Sequence, residues 1–304
     1  MDRSFSFVTV LGGVNVDIIG TPFKRLRRQD SNPGRLQVSF GGVGRNIAEN
    51  MSRLGTKVEM ITIFGDDFYG EEIRKDLSSL GIGYTLSLEL PGVYTSTYLC
   101  INDAGGDMAV AISDMDIYKQ LTPAYLKTKM SLINEGKFLV IDTNITKEVI
   151  EYVASETKVP IIAEPVSTTK AEKLKGILDK LFLVKPNMFE LEVLSGKQIQ
   201  NEQDLDEAVD ILLEKGVKHV VVSLGKDGVL YANASEKKRF EAKSGKIVNT
   251  TGCGDALLGG IVSALEDDKP MENAILVGIE CAKRCMESAT VVSKEITEEI
   301  LEMN

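Results

Sequence analysis

Histidine is almost absent from this 304-residue chain, which has only His219 and four cysteines. One histidine is too few for a zinc site built on histidines. A Ser-His-Asp triad would have to use His219 without a GxSxG turn, because the chain has none. The cysteines are widely spread and show no metal-ligand spacing. The sequence therefore gives little support to hydrolase or zinc-enzyme chemistry.

Positive charge and long apolar runs are also scarce. The chain has 45 acidic and 35 basic residues, a formal net charge of −10, which disfavours sequence-independent binding to nucleic acid or an anionic membrane. No apolar run approaches the roughly 18 residues of a membrane-spanning helix. The segment MDRSFSFVTVLGG has no signal-peptide pattern. We expect a cytoplasmic protein whose partners are small molecules, not nucleic acid or membrane.

Short apolar runs rich in β-branched residues alternate with amphipathic helical patterns. The runs are FVTVLGG (7–13), KVEMITIFG (57–65), KFLVIDTN (137–144), VPIIAEPVS (159–167), LFLVKPN (181–187) and HVVVSLG (219–225). Strands that are apolar throughout and separated by helices are typical of a mostly parallel sheet covered on both faces. The pattern predicts an α/β fold with a three-layer α/β/α core.

Four further segments alternate apolar and polar residues, as half-exposed strands do. They are VNVDII (14–19), RLQVSF (35–40), YTSTYLCIN (94–102) and MAVAIS (108–113), with the Gly-rich turn DAGGD (103–107) joining the last two. We predict that they form a small antiparallel sheet, a lid over the core. The predicted division assigns 14–40 and 93–114 to the lid, and 1–13, 41–92 and 115–304 to a nucleotide-binding and catalytic core.

Polar residues follow four of the predicted core strands. They are Asp142 and Asn144, Glu164, Lys185 and Asn187, and Ser223. Ligands of open α/β sheets bind outside the carboxyl ends of the strands. Capping of the next helix explains any single one of these residues equally well. Their coincidence across four strands favours a binding site.

The segment VNTTGCGDALLGG (248–260) is the strongest chemical signal. The sequence has no GxxxxGK[ST] phosphate loop and no GxGxxG turn. Here, however, a Gly-rich turn opens a predicted helix, and its N–H groups would form an anion site. Asp255 beside it would orient an acceptor hydroxyl and take its proton during phosphoryl transfer. Its place at a helix N-terminus predicts a lowered pKa. The alternative is a structural turn with an aspartate cap.

A second motif lies in FGGVGRNIAENMSRLG (40–55), where Asn46 follows Gly42 by four residues. The pattern GG-x3-N-x-A, followed about two hundred residues later by TTGxGD, resembles the two signatures of the ribokinase-like (PfkB) carbohydrate kinases. The resemblance extends from LGGVNVDIIG through nearly the whole chain. It implies a ribokinase-like fold and an ATP-dependent kinase that uses MgATP and phosphorylates a sugar or nucleoside.

Other segments narrow this resemblance to the pseudouridine kinases of the family. They are QDSNPG (29–34), DFYGEEI (67–73), AISDMDI (111–117) and AEPVSTTK (163–170). The resemblance implies phosphorylation of the 5′-hydroxyl of pseudouridine. Two alternatives stay open. One is a kinase of the same fold for another nucleoside, such as adenosine, or for a free sugar, such as ribose or fructose. The other is a non-catalytic sugar or nucleotide sensor.

The resemblance also implies roles for the acceptor and transfer sites. Asp255 matches the catalytic base, and Gly252, Cys253 and Gly254 match the anion hole. The residues that match sugar contacts are Asn15, Asp17, Gly41, Gly42 and Asn46. The period-two spacing of Asn15 and Asp17 independently places both on one face of a strand.

For the nucleotide, the resemblance implies that Asn187 and Glu190 of KPNMFELE serve the ATP phosphates and a water-bridged Mg²⁺. A solvated helix carboxylate is the alternative for Glu190. The predicted nucleotide loop SLGKDG contains Ser223, Gly225 and Gly228. Adenine would pack against the region 273–288.

Two residues depart from the family pattern. Cys253 replaces the usual alanine, and Asn249 stands where many relatives have an aspartate tied to a monovalent-cation site, so activation by K⁺ stays open. For recognition of the base, Asp114 is the main candidate, with Thr97 and Ser113 as lesser ones. A solvated turn carboxylate is an equal alternative for Asp114. The exposed part of the lid predicts a homodimer.

Overall fold

The structure, a computed structural model, describes residues 6–302. Residues 1–5 and 303–304, which the predicted core ranges include, lie outside the described residues. The strands are β1 (Val8–Leu11), β2 (Asn15–Pro22), β3 (Gly34–Gly41), β4 (Val58–Ile61), β5 (Ile63–Gly65), β6 (Leu88–Leu90), β7 (Thr97–Asn102), β8 (Met108–Asp114), β9 (Phe138–Asp142), β10 (Ile161–Glu164), β11 (Leu181–Val184), β12 (His219–Ser223), β13 (Val229–Ala232) and β14 (Lys237–Phe240).

The helices alternate with these strands over much of the chain. They are α1 (Val43–Arg53), α2 (Phe68–Ser79), α3 (Pro123–Lys127), α4 (Met130–Ile133), α5 (Lys147–Glu156), α6 (Thr168–Ala171), α7 (Met188–Ser195), α8 (Glu202–Glu214), α9 (Cys253–Glu266) and α10 (Met271–Met286), with short 3₁₀ helices at Asp116–Gln120, Glu172–Lys180, Gly225–Asp227 and Glu298–Glu302. Across residues 6–302, no helix combines the length and the apolar composition needed to cross a membrane.

The main sheet has eight strands in the order β14-β13-β12-β11-β10-β9-β1-β4. The six strands from β4 to β12 pair in parallel, and β13 and β14 add antiparallel pairs at one edge. One face packs against α1, α9 and α10 through a continuous apolar cluster. The other face packs against α5, α7 and α8 through a second cluster. The predicted three-layer α/β fold is confirmed.

A second sheet has the order β3-β2-β7-β8. The pairs β2–β3 and β7–β8 are antiparallel, as predicted, but β2 and β7 pair in parallel. The predicted small antiparallel sheet is therefore confirmed in its two outer pairs, and its central pair is parallel. The reason is that the chain returns to the core after β3 and re-enters the sheet through β7 from the same end as β2. Parallel neighbours need such a crossover.

The predicted strand 57–65 is also divided into two. β4 pairs with β1 in the main sheet, whereas β5 pairs with β6 in a separate two-stranded sheet. Between them, the backbone N–H of Thr62 donates to Ser87 Oγ at 3.0 Å instead of to a strand. This change of partner is a long-range contact, so the local apolar run could not reveal it.

One carboxylate connects the lid to the core. Asp142, at the carboxyl end of β9, accepts hydrogen bonds at Oδ2 from the backbone N–H groups of Gly13 and Gly44, each 2.7 Å long. Gly13 immediately precedes the lid, and Gly44 lies in the first turn of α1, after the chain has returned. This oxygen therefore fixes both connections beside the carboxyl edge of the sheet.

Candidate active site

The predicted anion site corresponds to the N-terminus of α9. Gly252 precedes the helix with a φ of 84°, and a Cβ at this position would overlap the carbonyl oxygen of Val291. Glycine is therefore required on both counts. The first-turn N–H groups of a helix have no intrahelical acceptor. Because Cys253 and Gly254 line a cavity, this end of the helix offers donors and a positive dipole to an anion there.

Asp255 follows in the same turn and is buried, with 9% of its surface exposed. Its Oδ2 accepts a hydrogen bond from Asn46 Nδ2 at 2.8 Å. Burial raises the pKa of Asp255 to about 7, against the hydrogen bond from Asn46 and the charge of Lys185. The lowered pKa predicted from the helix terminus is wrong, because desolvation outweighs the helix dipole at this buried position.

Ion pairs surround this carboxyl group. Lys185 Nζ lies 3.0 Å from Glu164 Oε2, and both side chains are buried at the edge of the main sheet. Burial raises the pKa of Glu164 to about 8, although Lys185 opposes that shift. Burial acts to lower the pKa of Lys185, but Glu164 and the neighbouring carboxylates raise it on balance. A cation thus lies directly under Gly254, where a Cβ would be 3.3 Å from Nζ.

Asn187 and Glu190 form the capping box of α7. Asn187 Oδ1 accepts from the backbone N–H of Glu190, and Glu190 Oε2 accepts from that of Asn187, each at 2.9 Å. For Asn187 this is the helix-capping alternative that the sequence analysis left open, whereas the part of Glu190 in the capping box was not predicted. The Glu190 side chain is nevertheless buried. It lies close enough to Glu164 and Asp255 for its charge to raise the pKa values of both.

The residues at this edge fit a hydrated magnesium ion. Among the described residues, no three His, Cys, Asp or Glu side chains lie close enough together to hold a metal by themselves. Buried Glu164 Oε2, although paired with Lys185, accepts no hydrogen bond within the described structure. Mg²⁺ usually keeps several waters and binds through one or two carboxylates plus substrate phosphates. Glu164 and Glu190 would hold such an ion through its waters.

The predicted acceptor contacts gather where the lid meets the core. Asn15 Nδ2 donates to Asp17 Oδ1 at 2.6 Å, which fixes the two side chains side by side. Asp17 Oδ2 occupies the space beside Gly41, where a Cβ would overlap it. Burial raises the pKa of Asp17, against the hydrogen bond from Asn15. Gly42 continues the turn into α1, which carries Asn46 to Asp255.

The structure does not bring all three candidate base contacts together with Asp17. Directly paired strand residues share a face, and neighbours along a strand alternate. Asp17 pairs with Tyr98, which pairs with Ser113, so Ser113 lies on the face of Asp17. Thr97 and Asp114 pair with each other and lie on the opposite face. The role of Asp114 stays a prediction, and the register favours Ser113 over it.

A cavity of about 530 Å³ extends from the anion site. Of the predicted nucleotide residues, Ser223, Gly225 and Gly228 line it, and Asn187 forms a bridge to Ser223 beside it. Four lining residues come from the segment predicted to pack adenine, namely Ile279, Ala282, Lys283 and Met286. The sequence analysis missed the wall formed by 242–247, because this irregular segment has no periodic pattern or motif.

Two residues of the turn before and at the start of α9, Asn249 and Cys253, depart from the family pattern. Cys253 faces the cavity, and a hydrogen bond with Cys285 lowers its pKa, against the effect of burial. Asn249 Oδ1 accepts from the backbone N–H of Thr251 at 3.0 Å and so closes the turn before Gly252. The monovalent-cation site at Asn249 stays a prediction. His219 begins β12, at the opposite end from Ser223, and its Nδ1 contacts Tyr231 Oη.

Comparison with known proteins identifies the family. The sequence model of the pfkB family carbohydrate kinases matches residues 6–296, so the chain belongs to this family. The pseudouridine kinase of Escherichia coli K12 is 33% identical over 286 residues, which cover 93% of this chain and 91% of that protein. The guanosine-inosine kinase of Exiguobacterium acetylicum is 27% identical and covers 92% and 94%.

A solved structure shows the same architecture. A carbohydrate kinase from Agrobacterium tumefaciens superposes with a TM-score of 0.85 at 27% identity, covering 98% of this chain and 96% of that one. Fold, family and site agree that the chain is an ATP-dependent carbohydrate or nucleoside kinase.

The raised pKa of Asp255 predicts a pH-dependent gain in stability on its removal. Its folded-state pKa of about 7 exceeds the ordinary value of 3.8, so ionisation opposes folding increasingly between these pH values. Asp255→Asn should therefore raise the melting temperature more at pH 8 than at pH 5, as measured by calorimetry. Asp206→Asn, an exposed change on α8, supplies the baseline. An equal shift at both pH values would contradict the raised pKa.

The position of Cys253 predicts protection by nucleotide. Alkylation by iodoacetamide, followed by mass spectrometry, should modify Cys253 faster than Cys281, because burial raises the pKa of Cys281 to about 12. MgATP at ten times its dissociation constant should slow modification of Cys253 about tenfold. Cys100 lies in the lid strand β7 and serves as the control. An unchanged rate at Cys253 would show that ATP binds elsewhere.

Proposed function

We propose that the enzyme transfers the γ-phosphoryl group of MgATP to the 5′-hydroxyl of pseudouridine. The observation that carries the proposal is the position of Asp255. Its Oδ2 contacts Asn46 of α1, the helix that follows the lid strand β3, and its neighbours Cys253 and Gly254 line the cavity at the N-terminus of α9. The similarity to the E. coli pseudouridine kinase supports this nucleoside among the possible acceptors.

In this mechanism, Asn15 and Asp17 hold the ribose diol through a fixed donor and acceptor. The sugar 5′-hydroxyl then points at Asp255, which orients it and accepts its proton. A pKa of about 7 makes the Asp255 carboxylate a better base than an ordinary aspartate, and it is largely ionised above neutral pH. The phosphorus–oxygen bond to the ADP leaving group breaks as the new one forms in line.

The N–H groups of Gly252, Cys253 and Gly254 stabilise the negative charge that develops on the transferring group. Lys185 lies directly under this turn and adds positive charge from below. Glu190 and Glu164 would hold the waters of a Mg²⁺ ion, which would supply positive charge to the ATP phosphates. Activation of the enzyme by K⁺ stays open in this proposal, because Asn249 stands where many relatives have an aspartate.

The lid, assigned to residues 14–40 and 93–114, covers the nucleoside in this proposal, and the rest of the chain forms the catalytic core. Ser113 shares the face of Asp17 and is the better placed contact for the uracil edge. Covering the site excludes water and limits ATP hydrolysis. Because its substrates are ATP and a free nucleoside, we place the reaction in the cytoplasm.

A turnover assay tests the acceptor. Release of ADP from MgATP is measured with pseudouridine, uridine, guanosine, inosine, adenosine, ribose or no acceptor. We expect the highest kcat/KM with pseudouridine. Preference for another acceptor would replace the substrate but leave the transfer mechanism intact. ATP binding without turnover on any acceptor would favour a sensor.

The Asp255→Asn variant should bind ATP normally, and its kcat should fall by about 10²–10⁴-fold.

We further propose a homodimer formed through the apolar face of the lid. By register and alternation, one face of the lid sheet carries Leu36 and Val38 from β3 and Val110 and Ile112 from β8. All four are more than half exposed, with Leu36 at 72% and Ile112 at 62%. A continuous apolar surface of this kind marks a protein interface. A second copy would bury the same face by twofold symmetry.

Light scattering tests this interface. The wild type should have twice the 33.2 kDa mass of one chain. Ile112→Asp should produce the monomer, because a charge would be buried at the interface without a partner. Leu132→Asp, which replaces an exposed apolar residue on α4, should stay dimeric. A dimeric Ile112→Asp variant, or a monomeric wild type, would refute the proposed interface.

A further inference from the structure

Arg45 is a buried cation beside the proposed active site that no sequence motif singled out. It lies in the first turn of α1, and only 6% of its surface is exposed. Its Nη2 lies 2.9 Å from Glu49 Oε2 and 2.7 Å from Asp76 Oδ2, and its Nε donates to Asp76 at 3.1 Å. These two carboxylates fix the guanidinium plane between α1 and α2 and neutralise its charge.

The remaining arm of Arg45 reaches the neighbouring side chain. Its Nη1 donates to Asn46 Oδ1 at 3.5 Å, while Asn46 Nδ2 donates to Asp255 Oδ2 at 2.8 Å. An asparagine amide has an acceptor end and a donor end that differ little in shape. Its orientation is therefore decided by its partners. The reversed amide would place Oδ1 against the Asp255 carboxylate and NH₂ against a guanidinium, and both contacts would be repulsive.

We propose that Arg45 is a positioning residue that fixes the Asn46 amide in the orientation which donates to Asp255. The inference rests on the proposed function, in which Asp255 accepts the proton of the acceptor hydroxyl. The guanidinium touches neither the base nor the phosphoryl path. Its effect is to keep one lone pair of Asp255 occupied by Asn46, so that the carboxylate is held in a single rotamer and its other oxygen faces the acceptor hydroxyl.

The other charges around these residues do not replace Arg45. Asp255 faces Lys185, Glu190 and Asp142, and it also acts on Glu164. These groups act on Asp255 directly and remain in place when Arg45 is changed. The carboxylates around Arg45 itself are Glu49, Asp76 and, in the lid, Asp17, on which the guanidinium acts only through its charge.

A double-mutant cycle tests the positioning role. With the acceptor that the wild type uses best, Arg45→Met should lower kcat about tenfold and leave KM for ATP unchanged. Asn46→Ala should lower kcat by more. If Arg45 acts through Asn46, the double variant Arg45→Met/Asn46→Ala should have a kcat within about twofold of Asn46→Ala alone. If the kcat losses of the two single variants multiply in the double variant, the proposal is overturned.

Arg53→Met is the matched control. Arg53 lies on the same helix and also pairs with Glu49, at 2.7 Å, but it has no contact with Asn46. It should lower the melting temperature by less than Arg45→Met, because Arg53 is more exposed and pairs with one carboxylate instead of two, and it should keep wild-type kcat. Loss of kcat in proportion to stability in both variants would also overturn the proposal.

A second variant protects the test against misfolding. Arg45→Met/Asp76→Asn removes the cation together with one of its counter-charges, and it should show the same tenfold loss of kcat. A wild type that turns over no acceptor would refute the proposed function before the cycle begins. An active wild type with a multiplicative cycle refutes the positioning role alone.

Discussion

A single carboxylate oxygen, Oδ2 of Asp142, determines where the lid and α1 begin. It accepts the N–H groups of Gly13 and Gly44, which lie on the outgoing and returning connections of the first lid excursion. Since α1 carries Asn46 to Asp255 and β2 carries Asp17, these two backbone contacts help to set the distance between the proposed acceptor contacts and the proposed base. The carboxylate is buried, and the backbone N–H and the side-chain amide of Asn144 also donate to it. It holds together the two connections between the lid and the core.

The site below it concentrates negative charge. Asp255, Glu164 and Glu190 are buried together with Lys185 as their nearby cation. Carboxylates gathered in this way raise one another's pKa values and cost folding free energy. In the proposed function, a magnesium–nucleotide complex would bring positive charge to them and negative phosphates to the helix terminus, and a ligand that binds the folded state stabilises it.

Much of this arrangement was predictable because its signals are local. The glycines around Asp255, the GG-x3-N spacing before α1 and the alternating strands each identify a feature from a few adjacent residues. The features that were not predicted depend on contacts between segments far apart in the sequence. The parallel pairing of β2 with β7 depends on where the chain re-enters the lid, and the opposite faces of Ser113 and Asp114 depend on register. The raised pKa of Asp255 depends on burial, which no motif encodes. The contacts of Arg45 with α2 likewise join segments thirty residues apart.

The register of the lid has a mechanical consequence. Asn15 pairs with Gly41, Val16 with Thr97, and Thr97 with Asp114. All four points at which the chain passes between lid and core therefore lie side by side along one edge of the lid sheet. Because all four connections lie along one edge, that edge is the natural hinge axis of the lid sheet. In a rotation about this edge, Asn15 and Asp17 would move least, because they lie nearest to it. The apolar segments farthest from the edge would move most, so the proposed sugar contacts would keep their place while the entrance opens.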